Sequence, residues 1–444
     1  MTETALTARD VALAHLLRVE TDGAYVSRVA GRADRDVTAP DVARRASDYV
    51  AGVTRQRRWL DFLLGHVVSR PLERLDPPLL QILRLGAYDL AVRGTPPHAA
   101  VSETVSLARR EVHAGAVGLV NGVLRALSRQ LGALPEPDTG DRAADLAVRH
   151  SHPTELVRGW LDAFGDEATL DLLAHDNRSP VYGLRVTAAV RDADPESARE
   201  AFRREVAALG TNAEPSRWLG DFVTTQTLQP VLRAGFVRDG LCAVQDEAAG
   251  LVVRALDPQP GERLLDAAAA PGGKAVYAAL LGAQVTALDV NRAKTRLVAQ
   301  AAAAQHATLD VVAADLTEWD AAPDFDAVLL DAPCSGSGVL AKRADLRWSL
   351  TPERTEELTH LQDALLDAAA GLVRAGGRLV YSTCSVDRLE NDDRVASFLA
   401  RNDGWTVEPV GDRVPAAMAD GDVYRALPHV HGTDGAFAAR LRRT

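Results

Sequence analysis

The stretch Arg263-Leu264-Leu265-Asp266-Ala267-Ala268-Ala269-Ala270-Pro271-Gly272-Gly273-Lys274 decides the fold. A short apolar run, Arg263 to Ala267, carries a carboxylate near its end. Small residues and two glycines follow and lead into Ala275 to Leu281, which reads as a helix. Glycines at a strand-to-helix turn let the backbone approach a ligand closely. Outward from this turn the pattern alternates. Val285 to Val290, Leu309 to Ala313, Ala327 to Asp331 and Arg378 to Ser382 read as strands, and Arg292 to Gln305 as a helix. The alternation predicts a doubly wound, Rossmann-like parallel sheet within residues 237–444. Ligands of such sheets bind at the carboxyl ends of the strands.

Those ends carry Asp266, Asp289, Asp315 and Asp331. A rim of four carboxylates repels a pyrophosphate, so NAD and ATP fit poorly. A phosphate-binding P-loop is excluded by Ala268, where its first glycine belongs, and by Ala275, where it needs Ser or Thr. A cationic nucleoside suits an acidic rim. S-adenosylmethionine, with its sulfonium and amino group, is therefore the expected cofactor. Asp289 stands 23 residues after Asp266, a distance at which an acid commonly takes ribose hydroxyls.

Only three cysteines occur: Cys242, Cys334 and Cys384. An odd, dispersed set excludes a disulfide framework and the usual paired-cysteine zinc site. Cys334 follows the strand ending in Asp331, within Asp331-Ala332-Pro333-Cys334-Ser335-Gly336-Ser337-Gly338. Cys384 follows the next strand, within Ser382-Thr383-Cys384-Ser385. Burial is the usual fate of a cysteine, and Cys242, ahead of the sheet, reads as structural. Two of three thiols at strand ends beside a glycine-rich turn point to chemistry instead. C5 of a pyrimidine is too weak a nucleophile to take a methyl group unaided. Addition of a thiolate at C6 makes the ring an enamine, and a second thiol can serve proton removal or enzyme release. Asp331 can hydrogen-bond the N3/N4 edge of cytosine and so favour it over uracil.

The segments 266–274, 331–338 and 382–385, with Glu390-Asn391 following, resemble motifs of the NOL1/NOP2/Sun family of RNA cytosine-5 methyltransferases. Val244 to Glu247 resembles that family's entry into its catalytic domain. Asp434-Gly435-Ala436-Phe437 resembles its closing Asp-Gly-Phe-Phe segment, with Ala436 in place of the first aromatic. Ala268 stands where the family's glycine motif usually begins with Cys. The resemblance implies Cys384 as the nucleophile and Cys334 as the residue assisting release. It implies cofactor contacts from Ala268, Ala269, Ala270, Pro271, Gly272, Gly273 and Lys274 around the methionine and ribose portions. Asp289 would then take the ribose, Asp315 would lie near the adenine, and Asp331 at the junction with the substrate.

Residues 1–135 read as helices, with Leu79, Ile82, Leu83, Gly86 and Leu90, then Val120, Val123, Leu124, Leu127 and Leu131, on apolar stripes. Leu83 to Tyr88, Pro97 to Glu103 and Gly118 to Arg125 resemble the NusB-like RNA-binding bundle. Joined to the catalytic domain, it implies a bacterial enzyme methylating one cytosine of 16S rRNA before the small subunit is complete. The polar stretch 135–141 reads as a domain boundary and 136–180 as linker and connecting helices. Residues 181–236 read as a small α+β module, RRM-like by the same resemblance. The expected class is thus multidomain: an all-α bundle, a small α+β module and an α/β methyltransferase domain.

The net charge is −11, yet residues 1–135 balance to +4, 136–239 to −6 and 240–444 to −9. Arg45, Arg55, Arg57 and Arg58, and Arg109, Arg110, Arg125 and Arg129, form clusters that a phosphate backbone can use; solvated helix faces are the plainer alternative. No apolar run spans a bilayer, and Thr2, Glu3 and Thr4 do not open a secretory signal. His150 with His152, and His429 with His431, lack a third ligand nearby, so no metal is expected. The expectation is a cytoplasmic monomer with no membrane partner. Two other readings compete: an RNA-binding assembly or antitermination factor with a non-catalytic sheet domain, and a DNA cytosine methyltransferase, which would use the Pro-Cys thiol alone.

Overall fold

A computed structural model describes residues 6–22, 39–322 and 324–444. The expectation of helices over residues 1–5 and 23–38 lies outside the described residues. The chain divides into two compact units, residues 1–177 with 340–350, and residues 178–339 with 351–444.

The first unit is helical: α1 (Ala8–Asp22), α2 (Pro40–Arg55), α3 (Arg57–Gly65), α4 (Pro77–Ala91), α5 (Pro97–Glu111), α6 (Ala114–Gln130), α7 (Arg142–Arg149) and α8 (Thr154–Asp176). Prolines at the first helical positions of α2, α4 and α5 set their starts. The two stripes read from sequence on α4 and α6 enter one buried cluster with Leu60, Leu63 and Leu107.

The polar stretch 135–141 does not end this unit. Its polar side chains organise the helix that follows: Asp141 accepts from Ala143 N at 3.0 Å, and Thr139 Oγ1 donates to Asp145 at 2.8 Å. Arg58 then ties α3 to the turn after α7, donating to His152 O at 2.7 Å and Thr154 Oγ1 at 2.9 Å. Helices α7 and α8 accordingly belong to the first unit, and the division falls after Asn177.

Residues 340–350 also belong here, although in sequence they follow the Cys334 motif. Arg347 is fully buried and donates to Arg55 O (3.2 Å), Ser151 O (3.0 Å), Asp176 O (3.2 Å) and Asn177 Oδ1 (3.1 Å). Trp348 Nε1 donates to Thr54 O at 2.8 Å, and Arg57 stacks on its ring.

The second unit opens with β1 (Tyr182–Val186), α9 (Pro195–Ala208), β2 (Ala213–Pro215), β3 (Phe222–Thr225), α10 (Gln229–Arg233) and β4 (Cys242–Val244). These strands make one antiparallel sheet in the order β2-β3-β1-β4, a β-α-β-β-α-β arrangement. The sheet runs past residue 236 because β4 pairs with β1, Cys242 opposite Val186. Cys242 is buried in that module's core, and burial pushes its thiol up to about 12.

Next come α11 (Glu247–Leu256), β5 (Arg263–Asp266), α12 (Gly273–Leu280), β6 (Gln284–Asp289), α13 (Arg292–Ala304), β7 (Leu309–Ala313), β8 (Phe325–Asp331), α14 (Pro352–Gly371), β9 (Val373–Thr383), α15 (Asp392–Arg401), β10 (Trp405–Val407), β11 (Ala419–Asp420), β12 (Val423–Ala426) and β13 (Ala436–Arg443). Strands β9-β8-β5-β6-β7 are parallel, as the alternation predicts. Beyond β9 the sheet continues antiparallel through β13, β12 and β11, with β10 also on β13. The sheet is therefore mixed, not wholly parallel. One apolar layer joins it to α11, α12 and Val298 of α13, the other to α14 and α15. Among the described residues no helix is long and apolar enough to cross a membrane.

Arg347→Ala strips hydrogen-bond donors from several buried carbonyls at once. It should lower unfolding stability by about 3 kcal/mol. Urea denaturation followed by tryptophan fluorescence measures this; a loss under ~0.5 kcal/mol would contradict it.

Candidate active site

The parallel order fixes the site, because β8, β5 and β6 are adjacent and their carboxyl ends bring Asp331, Asp266 and Asp289 onto one rim. Asp315 follows β7 at the next position. Gly272 has φ +107°, and an added Cβ would lie 3.0 Å from Val298 Cα. A side chain there would be strained and crowded against α13, so the tight turn requires glycine.

A cavity of about 260 Å³ opens beside this turn, lined by Ala268, Ala269, Ala270, Pro271, Gly273, Lys274, Asp266, Asp331 and Cys384, among others. Asp289 and Asp315 do not line it. Asp289 accepts from Ala270 N at 3.2 Å and from Asn291 N at 2.8 Å, so it braces the glycine turn from outside. Asp315 accepts from Thr317 N and Thr317 Oγ1, which hold its carboxylate below the usual range.

Lys274 has a more definite place than its sequence position suggests. Its Nζ lies 2.5 Å from Asp331 Oδ2, while Ser382 Oγ donates to Asp331 Oδ1 at 2.9 Å. Burial disfavours the Lys274 charge, but Asp331 and Asp266 outweigh it and raise its pKa. Burial, reinforced by the charge of Asp331, pushes Asp266 up to about 7. Asp266 Oδ1 and Gln245 Nε2 are buried beside the cavity with no partner among the described residues. One is an acceptor and one a donor, as a polar, partly cationic ligand requires.

The two thiols converge. Cys334 Sγ lies 3.3 Å from Cys384 Sγ, and Cys384 N donates to Cys334 Sγ at 3.4 Å. The hydrogen bond to Cys384, then burial and the nearby charges of Cys384 and Glu390, push the Cys334 thiol well up, so it holds its proton.

What locks this pair was not read from the sequence. Glu390 is fully buried and accepts from Ser335 N at 2.8 Å, Ser335 Oγ at 2.5 Å and Gln362 Nε2 at 3.0 Å. Gln362, on α14, also donates to Pro333 O at 2.9 Å. Asn391 holds the other thiol loop: its Nδ2 donates to Ser385 O at 3.0 Å, and Thr383 Oγ1 donates to its Oδ1 at 2.5 Å. Two consecutive residues thus clamp two loops. The Glu390-Asn391 pair stood in the motif without a role; the contact joins residues 55 apart, which spacing does not reveal.

Three backbones also meet here. Gly338 N donates to Cys384 O at 3.0 Å, Gly435 N donates to Gly338 O at 2.7 Å, and the two glycine Cα positions leave no room for a Cβ. Arg185 was missed as well. Fully buried on β1, it donates to Gln245 Oε1 (2.9 Å), Gly273 O (2.8 Å) and Gln305 Oε1 (2.7 Å), and stacks on Tyr277. The small sheet thereby supports the glycine turn from behind.

Comparison with known proteins places this geometry. The model of the family described as 16S rRNA methyltransferase RsmB/F matches residues 253–442, and that of the NusB family matches residues 6–129. Ribosomal RNA small subunit methyltransferase B of Xylella fastidiosa is 35% identical, over 90% of this chain and 87% of its own. The protein of the same description from Pectobacterium carotovorum is 30% identical, over 98% of both chains. The chain belongs to the RsmB/F methyltransferase family. The resemblance to a bacterial 16S rRNA methyltransferase carried by the cysteine motifs and the helical front end is met, and the Pectobacterium match extends over 98% of the chain. The crystal structure of PH0851 has the same fold, with a TM-score of 0.80, 24% identity and full coverage of both chains. This RsmB/F protein is an S-adenosylmethionine-dependent methyltransferase, and the unpartnered Asp266 Oδ1 and Gln245 Nε2 fit that cofactor's polar groups.

Folded Asp266 binds its proton more tightly than the unfolded chain does, where the ordinary value is 3.8. It therefore withdraws stability as pH rises from about 4 to about 7. Asp266→Asn should gain stability relative to the parent across that window, on the order of a few kcal/mol. Parallel melting profiles from pH 4 to 8 would contradict this. Glu390→Ala should lower methyl transfer about 10- to 100-fold by loosening the Cys334 loop, while calorimetry finds cofactor affinity unchanged; full activity would contradict the clamp.

Proposed function

We propose that the protein methylates C5 of a specific cytosine in 16S rRNA through a covalent bond between Cys384 and C6. The 3.3 Å approach of the two sulfurs beside the cofactor cavity carries this reading, and the names of its relatives support the RNA substrate. The glycine turn from Ala268 to Lys274 would hold the cofactor, which supplies an electrophilic methyl group.

The chain's own groups do the rest. The Cys384 sulfur, as thiolate, adds to C6, and the C5=C6 pair moves into the ring. Asp331, with one oxygen on Lys274 and the other on Ser382, offers an acceptor to the N3/N4 edge and favours a proton at N3. Lys274 holds Asp331 in orientation through that 2.5 Å contact. C5 uses the electron pair to take the methyl group. It then carries both hydrogen and methyl. Loss of the C5 proton to a base returns the pair to C5=C6 and expels the Cys384 sulfur.

Cys334 holds its proton and touches the leaving sulfur, which suits assistance at release. The target base must leave any stack to reach the sulfurs. A folded subunit would hide it, which favours action before assembly is complete. We read the protein as cytoplasmic and monomeric, with no metal in the reaction.

Cys384→Ala should abolish methyl transfer and leave cofactor binding intact. Cys334→Ala should instead accumulate a covalent protein–RNA species that survives denaturation and migrates slowly on a gel. Full activity of Cys384→Ala together with no adduct from Cys334→Ala would overturn the assignment.

A further inference from the structure

Two arginine clusters stand out in the first 135 residues, and the structure treats them differently. The first, the exposed Arg45 apart, is spent on internal contacts. Arg55 donates to Ala341 O at 2.9 Å, Arg57 stacks on Trp348, and Arg58 holds residues 151–154. In the second, Arg110 pairs with Asp10 at 2.6 Å. Arg109, Arg125 and Arg129 instead face a common cavity.

That cavity, of about 450 Å³, lies between α5 and α6. Its polar lining includes His98, Ser102 and Arg109 from α5 and Asn121, Arg125 and Arg129 from α6. Its floor is the buried pair Val101 and Val105. Among the described residues no carboxylate lines it, in a chain whose net charge is −11. Glu103, on α5, is engaged by Arg9 instead. Among the described residues, Arg109 and Arg129 have no hydrogen-bond or ion-pair partner, while Arg125 Nε is oriented by Asn121 Oδ1 at 3.0 Å.

Helix α6 adds a second observation. Gly118 and Gly122 are exposed in its interior, and a Cβ at either would meet nothing within 4 Å. A helical glycine costs roughly 1 kcal/mol against alanine, and no packing among the described residues requires these two. Gly118, Gly122, Arg125 and Arg129 follow at spacings of four, three and four, so they share one face. A bare strip of backbone about 6 Å long, from Gly118 to Gly122, thus leads into the arginines.

We infer that the α5–α6 cavity is a phosphate-backbone docking site for the rRNA substrate, with Arg109, Arg125 and Arg129 holding phosphates and Gly118 and Gly122 admitting the strand against the helix. This rests on the rRNA reading above. Planar guanidinium groups with free forks match phosphate oxygens. With Asn, Ser and His beside them and no Phe, Tyr or Trp among the described lining residues, the site grips backbone rather than stacking bases. It holds and orients the RNA without choosing the cytosine.

The test uses the full chain and a fluorescent, protein-free 16S rRNA fragment. Arg109→Ala/Arg125→Ala/Arg129→Ala is compared with a charge-matched control, Arg142→Ala/Arg158→Ala/Arg354→Ala, whose arginines are exposed and already paired with acids. The cavity variant should bind about tenfold or more weakly near 0.1 M salt, and its log Kd–log salt slope should fall by about 2 to 3. Cofactor affinity and kcat at saturating RNA should match the parent. A cavity variant within twofold of the control, with unaltered slope, overturns the docking site while the rRNA reading stands. A parent chain that neither binds nor methylates the fragment overturns both.

Discussion

Two sulfur atoms held 3.3 Å apart, at the ends of two adjacent parallel strands, are the constraint around which the second unit is arranged. Neither strand end would hold that separation alone, because each thiol sits on a loop. The loops are fixed from behind by one buried carboxylate and one buried amide. Glu390 takes three donors from the Cys334 side and its α14 neighbour, and Asn391 takes the backbone and hydroxyl of the Cys384 side. A buried charge is tolerable only when its lone pairs are satisfied. Satisfying Glu390 is therefore the same act as placing Cys334.

The acidic rim divides its labour in a way that residue type alone does not announce. Asp266 and Asp331 face the cavity, Asp289 braces the glycine turn, and Asp315 caps its own turn. Lys274 offsets part of the charge at the Asp266–Asp331 end. The result is a pocket with one neutralised corner, next to the thiols, and one orphaned carboxylate oxygen.

The parallel core was legible because its strands are apolar runs ending on acids, and the thiols because they stand directly after two of those runs. The antiparallel edge was not. β13 reads Ala-Phe-Ala-Ala-Arg-Leu-Arg-Arg, and its arginines resemble a solvated helix face. Arg440 is instead buried, donating to Ala255 O and Leu256 O, and Arg378 of β9 pairs with Glu262 beside it. The same cause hid Arg185 and Arg347: a buried arginine is identified by its acceptors, and most of these lie 60 to 292 residues away in sequence. The polar stretch 135–141 shows that cap residues and linker residues share a composition: the NusB-family match ends at residue 129, while the packed unit continues to Asn177.

The central claim is that Cys384, not Cys334, bonds to the base. RNA carrying 5-fluorocytidine tests it most directly, since fluorine at C5 cannot leave as a proton and the adduct cannot resolve. After incubation with cofactor, protease digestion and mass spectrometry, a methylated fluoropyrimidine should be found on the peptide containing Cys384. The same mass on the Cys334 peptide, or no adduct on either, would contradict the account.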